Sequence, residues 1–392
     1  MCVSGVRVSK AVLEIEPKVI EWRRDFHMHP EIGMLEFRTS EKVQAHLSAL
    51  GIPFKVYAGT GVVGLLDSGK PGPTVMLRAD MDALPVEEEN DIQYKSQNPG
   101  CMHACGHDTH MAMLMGIAQV LKNEGLSRGR VKFCFQPGEE GRDGAKLMIA
   151  DGLFRDEPVP DVALGMHIWN NLPAGEVAVL DGPCMASVDE FEIFVRGVGG
   201  HAAYPHQTVD PIVISAQIIT AMQSIVSRTV APMDKAVLSI CEVHGGTAFN
   251  IIPPEVVLRG TVRTFLPETE AAIRRQVEEM PPAIAKSMGG EAEVNYIVKL
   301  PSTINDPKVA GFARRIAAGI VGDAKVVDTE PSMGGEDFSL FGRQVPAAFV
   351  FLGSRNPEKD ATMPHHHPKF NVDEDMFKVG VELGVRFARE WG

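Results

Sequence analysis

Three stretches of this chain are close to continuously apolar and too short to be helices: TVMLRAD (74–80), VKFCFQP (131–137) and DVALGMHIW (161–169). A strand buried on both faces has no solvent side to alternate with, so it reads as an unbroken apolar run. Such strands belong to sheets covered by helices on both faces. Helical spacing fills the intervals. It runs over 9–26, over 36–50 up to Gly51, and over THMAMLMGIAQVLKNEG, with a cap near Asp108 or Thr109 and a stop at Gly125. GVVGLLDSG adds a further strand. Strands alternating with helices up to residue 183 predict an α/β core.

The pattern changes after Gly182-Pro183. SVDEFEIFVRGVGG alternates apolar and polar residues, as a half-exposed antiparallel strand does. A helix over about 209–228 follows, then strands AVLSICEVHGG and EVVLRGTVRTF, a helix from Leu266 to Gly290, and strand EAEVNYIVK. This β-α-β-β-α-β order predicts a two-layer α+β domain with one open sheet face. From about 300 the α/β character returns, with strand AAFVFLG and a final helix from Asp373 to Glu390. A chain of 392 residues exceeds one ordinary core. The expectation is a discontinuous domain, 1–183 and 300–392, with 184–299 inserted; the ends of an insert commonly lie close together.

Charge narrows the partners. The net charge of −13, from 38 basic and 51 acidic residues, argues against nucleic acid, and no basic stripe is present. No window of about 18 uninterrupted apolar residues offers a membrane span. The first 22 residues lack the apolar core of a secretory signal. Six cysteines in this length are too sparse for a disulfide scaffold, which fits a reducing, cytoplasmic compartment.

Chemistry concentrates in CMHACGHDTH (101–110), between a buried strand and a helix, where open α/β sheets hold ligands. A structural zinc knuckle would want four closed ligands in paired spacing, which this run does not supply. GEE (138–140) follows the strand VKFCFQP. Paired carboxylates there can divide the work, one holding metal and one taking a proton from water, although such a pair is often only a solvated loop. His167 ends an apolar run, where a satisfied core histidine is the common case. PHHHPKF (364–370) is a ligand tract or a plain loop. In LRADMDALP, Asp80 and Asp82 can cap the strand or orient metal-bound histidines. Together these are Cys, His and Glu donors at the ends of successive strands, the makings of a binuclear site with ions about 3.5–4 Å apart.

As a set, LRADMDALP, MHACGHDTHMAM, QPGEEGRDGA, GMHIW, GVGGHAAYPHQTVDPI, NIIPPEVVLRGTVRTF, MGGEDFS and HHHPKF resemble the aminoacylase-related metallo-amidohydrolases. These include hippurate hydrolases and the plant indoleacetyl-amino-acid hydrolases. The resemblance covers roughly 15–390. It implies a mixed-sheet, zinc-peptidase-like α/β catalytic domain with an inserted dimerisation and lid domain. It implies Cys105, His107, Glu140, His167 and His366 as ligands of two divalent ions (zinc, manganese, cobalt or nickel), with Glu139 as general base. His365 and His367 are left without a role, and a one-residue slip in the tract stays open. His201, Asn250 and Arg263 match positions that face substrate. This chain departs from the family's commoner Ala at Gly138 and from its hydrophobic residue at His365.

The implied reaction is hydrolysis of the amide bond of an N-acyl amino acid by a homodimer or higher homo-oligomer. Rival expectations are a dipeptidase or aminopeptidase of the same fold, a cysteine hydrolase using Cys101 or Cys105, and a conjugate-binding protein without activity.

Overall fold

The computed structural model describes residues 5–392. Cys2 and the first residues of the segment read for a secretory signal lie outside the described residues. The chain divides into two compact units. One runs up to Gly182 and takes in Ile304–Glu330 and Leu340–Gly392; the other comprises Pro183–Thr303 and Pro331–Ser339.

The first unit is built on helices α1 (Lys10–Met28), α2 (Phe37–Ala49) and α3 (His107–Glu124) and strands β1 (Phe54–Tyr57), β2 (Gly61–Asp67), β3 (Thr74–Asp80), β4 (Arg130–Gln136) and β5 (Val162–Pro173). Its eight-stranded sheet has the order β1-β2-β4-β3-β5, then Ala347–Arg355, Val177–Ala178 and Val326–Val327. β3 pairs in parallel with β4 and β5, and Ala347–Arg355 pairs in parallel with β5; β1 and β2 are antiparallel additions at one edge. The sheet is therefore mixed, with a parallel centre.

Burial explains the apolar runs. Every residue of β3 is buried. α3 is buried on most of its surface, from His107 through Leu121, which is why its sequence lacks a polar stripe. α1 instead shows the stripe of a surface helix: Val12, Ile15, Val19 and Phe26 point inward. Its start is set by Ser9, whose hydroxyl accepts the Val12 N–H at 3.4 Å.

Two helix boundaries differ from the sequence expectation. α3 begins at His107, one turn-entry earlier than Asp108 or Thr109, because Gly106 at φ 95° turns the chain into it. The last helix begins at Phe377 rather than Asp373, because Asp373 caps a short 3-10 turn over Glu374–Met376 first. A helix over Pro307–Val321 was not anticipated; Asp306 caps it by accepting the Lys308 and Val309 N–H groups at 2.9 and 3.1 Å.

The second unit carries a four-stranded antiparallel sheet in the order Ala236–Gly245, Glu255–Thr264, Val188–Arg196, Glu291–Leu300. Helices Pro211–Ser224 and Pro267–Ser287 pack on it. Its core includes Phe191, Ile193 and Val195, alternate residues of one strand, with Ile214, Ile218, Ile273 and Val277 from the helices. This is the two-layer arrangement expected from period-2 alternation. Pro331–Ser339 belongs with this unit rather than with the outer segments, because Ala186 donates to Ser332 O and Gly334 O and Ser332 donates to Cys184 O.

Candidate metal centre

Parallel pairing brings the chemistry to one edge of the first unit's sheet. Asp80, the last residue of β3, sits opposite Gln136, the last of β4, and Glu139 and Glu140 follow after Pro137 and Gly138. On the other side Arg78 pairs with Gly165, so two residues further on Asp80 and His167 stand level. The N-terminus of α3 arrives at the same edge, which is where open α/β sheets place their ligands.

Besides Asp80, His107 and His110, three groups of donor atoms lie there, each group within 4.8 Å: Cys105, His107 and His167; Cys105, Glu140 and His366; His107, Glu139 and Glu140. Shared members link the three into one cluster. Cys105 Sγ is 3.5 Å from His167 Nε2, and His366 Nε2 is 3.2 Å from Glu140 Oε1.

The ring nitrogens state their roles. His107 donates Nδ1–H to the Asp82 carbonyl at 2.8 Å, and His167 donates Nδ1–H to the Ile168 carbonyl at 2.6 Å. Each therefore turns Nε2 into the cluster. His107 Nε2 is buried without a hydrogen-bond partner, and Glu140 Oε1 is buried without a hydrogen bond although the His366 ring nitrogen stands 3.2 Å away. Buried polar atoms are normally satisfied, so two orphans aimed at one spot fit a cation held between them.

The electrostatics agree. Burial pushes the Cys105 thiol up, and the charges of Glu140, Glu139 and Asp80 push it further, well above the usual thiol range. Burial lowers His107, but Asp80, Asp82 and Glu140 outweigh it and raise the imidazole to about 10. Burial, then the neighbouring His110 and His365, drives His167 well below its ordinary value, so it stays neutral. The cluster carries surplus negative potential, and a bound cation would reverse the effect on the thiol. A Cys, Glu and three His set suits a borderline metal.

The three histidines of the tract differ in what they face. His365 is committed elsewhere: Nδ1 faces the Cys105 carbonyl at 3.2 Å, Nε2 accepts the Asn170 N–H at 3.4 Å, and the ring packs against Trp169 and Phe370. His366 takes φ 67° and anchors its N–H on the Ala104 carbonyl, which turns its ring to Glu140. Among the described residues, His367 joins no donor cluster.

Asp80 and Asp82 differ in what they touch. Asp80 accepts from Arg78 Nη1 and His110 Nδ1, each at 2.6 Å, and lies 3.6 Å from His107 Nε2. His110 is in turn saturated, because its Nε2 accepts the Ile168 N–H at 2.9 Å. Asp82 accepts the N–H groups of Glu139 and Glu140 at 3.0 and 2.9 Å. Cys101 and His103 stay outside every donor cluster among the described residues.

Gly106 makes the turn into α3 possible on two counts. Its φ is 95°, and a Cβ there would meet Ile168 Cγ2 at 2.4 Å.

Sequence reasoning passed over a buried charge network behind the motif. Asp108 Oδ2 accepts from Arg23 Nε at 2.9 Å and His27 Nδ1 at 2.7 Å, and His27 Nε2 lies 3.2 Å from Glu88 Oε1. The signal was available: Arg23 falls on the same helical stripe as Val12, Ile15, Val19 and Phe26, where an unpaired charge would be costly.

Of the remaining expected residues, His201 and Asn250 are neighbours in the second unit. Gly200–His201 pairs with Ile251–Ile252, and Ala202 donates to the Asn250 carbonyl. Both side chains are exposed. Arg263 is not with them. It sits eight residues along Glu255–Thr264 from the end where this short ladder leaves, about 25 Å at strand rise. Its guanidinium bonds Thr261 and the Val262 carbonyl.

The family model described as Peptidase family M20/M25/M40 matches residues 76–390. The chain is 42% identical to thermostable carboxypeptidase 1 of Saccharolobus solfataricus over 98% of this chain and 99% of that protein. It is 37% identical to an N-acetylcysteine deacetylase of Bacillus subtilis, over 95% and 96%. A solved Bacillus subtilis structure, described as a dinuclear metal-binding peptidase from the M20 family, superposes with TM-score 0.85 at 34% identity, covering 96% of this chain and 98% of that one. Its strand-end cluster of Cys, His and Glu donors, together with these likenesses, places the chain in peptidase family M20/M25/M40 as a metal-dependent amidohydrolase.

Proposed function

We propose that the chain hydrolyses the amide joining an acyl group to an amino acid whose carboxylate is free, releasing the amino acid and a carboxylic acid. The observation that carries this reading is the linked cluster of Cys105, His107, Glu140, His167 and His366 with Glu139 beside it. We assign the first five as ligands of two divalent ions, zinc, manganese, cobalt or nickel. Those ions would supply Lewis acidity to the amide carbonyl and to the attacking water.

The chain's own residues do the rest. Glu139 takes the proton from the attacking water and returns it to the leaving nitrogen. Asp82 holds Glu139 and Glu140 by their backbone amides, so base and ligand keep a fixed separation. His167 and His107 both point Nε2 at the ions because their Nδ1–H groups are tied to carbonyls; His167 is neutral beforehand, and His107 would give up its Nε2 proton on binding. In the second unit we assign His201 and Asn250, and separately Arg263, to the substrate's polar groups, and the unit itself to dimerisation and lid closure. We place the enzyme in a reducing, cytoplasmic compartment, since Cys105 serves only as a free thiolate.

The relatives' names favour two acyl classes. An N-acetyl group suits the deacetylase likeness, and a peptidyl group suits the carboxypeptidase likeness. Both leave the same C-terminal amino acid. A cysteine-hydrolase reading is disfavoured by electrostatics: burial, then Glu31, raises Cys101 to about 11, and Cys105 is pushed up harder, so neither offers a ready nucleophile.

The test pairs Glu139→Gln with a substrate panel of N-acetyl, benzoyl and indoleacetyl amino acids and blocked dipeptides. The variant should keep its metal and fold and lose kcat by about 10²–10⁴-fold. Wild-type turnover in Glu139→Gln would remove the assigned base. Activity that survives exhaustive chelation would remove the metal.

A further inference from the structure

Between α1 and α2 the chain makes a tight turn, HMHPEIGMLE, that the reaction above does not use. It lies directly on the segment that carries Glu139. A Cβ on Gly33 would meet Gly138 Cα at 3.0 Å and Asp82 Oδ2 at 3.1 Å, and a Cβ on Gly138 would meet Met34 Sδ at 2.8 Å. A side chain on Gly33 would press on the Gly138 backbone itself, and one on Gly138 would press on Met34 of the turn.

At the end of this turn stands Glu36, fully buried. Its Oε1 accepts the Gly138 N–H at 2.9 Å, and its Oε2 accepts the Thr60 hydroxyl at 2.7 Å. Both partners are neutral. A buried carboxyl group held only by neutral donors costs stability relative to an apolar residue. Packing therefore does not account for it, and its partner does. With the two bonds to Asp82, all three successive amides of Gly138, Glu139 and Glu140 end on carboxylate oxygens. Gly138 has φ 60° and no side chain, so it is held through its backbone alone: its carbonyl accepts the Gly144 N–H at 3.1 Å, on the far side from Glu139's amide bond to Asp82, and its own amide is held by Glu36.

We propose that Glu36 is a positioning residue for Glu139, fixing the Gly138 amide and so the backbone from which the base projects. This rests on the reading of Glu139 as base. Asp82 holds the ligand side of the loop; Glu36 holds the side on which the chain enters. Loss of Glu36 lets the entry swing while Glu140 stays with its ligand partners.

The test uses Glu36→Gln, Glu36→Asp and Glu36→Ala in the full chain, with Glu139→Gln in parallel. Four quantities are read: kcat and KM, metal per chain by elemental analysis, the melting temperature, and hydrogen exchange in the peptide spanning Gly138. Glutamine can accept from Gly138 and donate to Thr60, so it should retain most of kcat and the slow exchange. Aspartate keeps the charge but falls one methylene short. It should behave like alanine, losing kcat by about 10- to 100-fold, the scale set by an ångström of misplacement. KM and metal content should hold, and exchange at Gly138 should accelerate. The proposal is overturned if aspartate and alanine turn over like wild type, if glutamine is as damaged as alanine, or if Gly138 exchange does not change. It is equally overturned if lost metal or unfolded protein accounts for the whole kcat loss. Should alanine not fold, the aspartate and glutamine pair decides. An active Glu139→Gln variant sinks the assignment of the base, a result separate from any of these.

Discussion

Replacing Arg23 by Met should destabilise the first unit strongly although no substrate or metal donor is touched. The side chains of Arg23 and Asp108 are both completely buried, with Nε 2.9 Å from Oδ2. Methionine fills a similar length without charge. Removing one partner of a buried pair leaves the other uncompensated, at a cost of about 3–5 kcal/mol. His27 stays 2.7 Å from the same oxygen and softens the loss, which argues for the lower end, about 3 kcal/mol. The contacts of Arg23 with Glu374 at 3.4 Å and with the Tyr94 ring at 4.9 Å go as well. For a unit of this size each kcal/mol moves the midpoint by about 2–4 °C, so the transition should fall by about 6–12 °C. The assay is calorimetry of the metal-free protein, with the two units fitted as separate transitions. The double variant Arg23→Met/Asp108→Asn removes the orphaned charge and should lose less than the sum of the singles, by about 0.5–3 kcal/mol. A single variant within about 0.5 kcal/mol of wild type would refute the reasoning, since that is the scale of an ordinary surface change. Strict additivity in the double variant would do the same.

His366→Ala should bind less metal per chain, whereas His365→Phe should retain full metal content, because only His366 directs a ring nitrogen to Glu140; elemental analysis after dialysis separates them, and the reverse result would move the ligand by one residue. Metal uptake by the chelated protein should release protons near neutral pH. The Cys105 thiol and the His107 imidazole are both held above their ordinary values without a cation and must shed protons to bind one. Affinity should therefore rise with pH, most steeply below the raised His107 value of about 10. Calorimetric titration in buffers of different ionisation enthalpy measures the release, and a zero count would mean that neither group ligates.

The mixed α/β architecture and the inserted two-layer sheet were legible because burial writes itself into periodicity. β3 is buried from end to end and its run has no polar alternation, while the strand Val188–Arg196 alternates because only one face is covered. The donors were legible as types, since few roles other than metal binding want Cys, His and paired Glu at strand ends. The sequence could not say which ring of HHH faces Glu140; that depended on His366 adopting φ 67° with its N–H on Ala104, while the Asn170 N–H took the His365 ring. Nor could it show that Glu36 and Asp82 both hold the loop of Gly138, Glu139 and Glu140, or that Arg23 and His27 close on Asp108. Those partners lie from 57 to 102 residues apart along the chain. Local sequence sets which atoms can donate, accept or hold charge, through residue type and short-range periodicity. Which of them meet is decided by strand register and by the packing of α1 and α3, because a buried polar group must find its partner wherever the fold brings one.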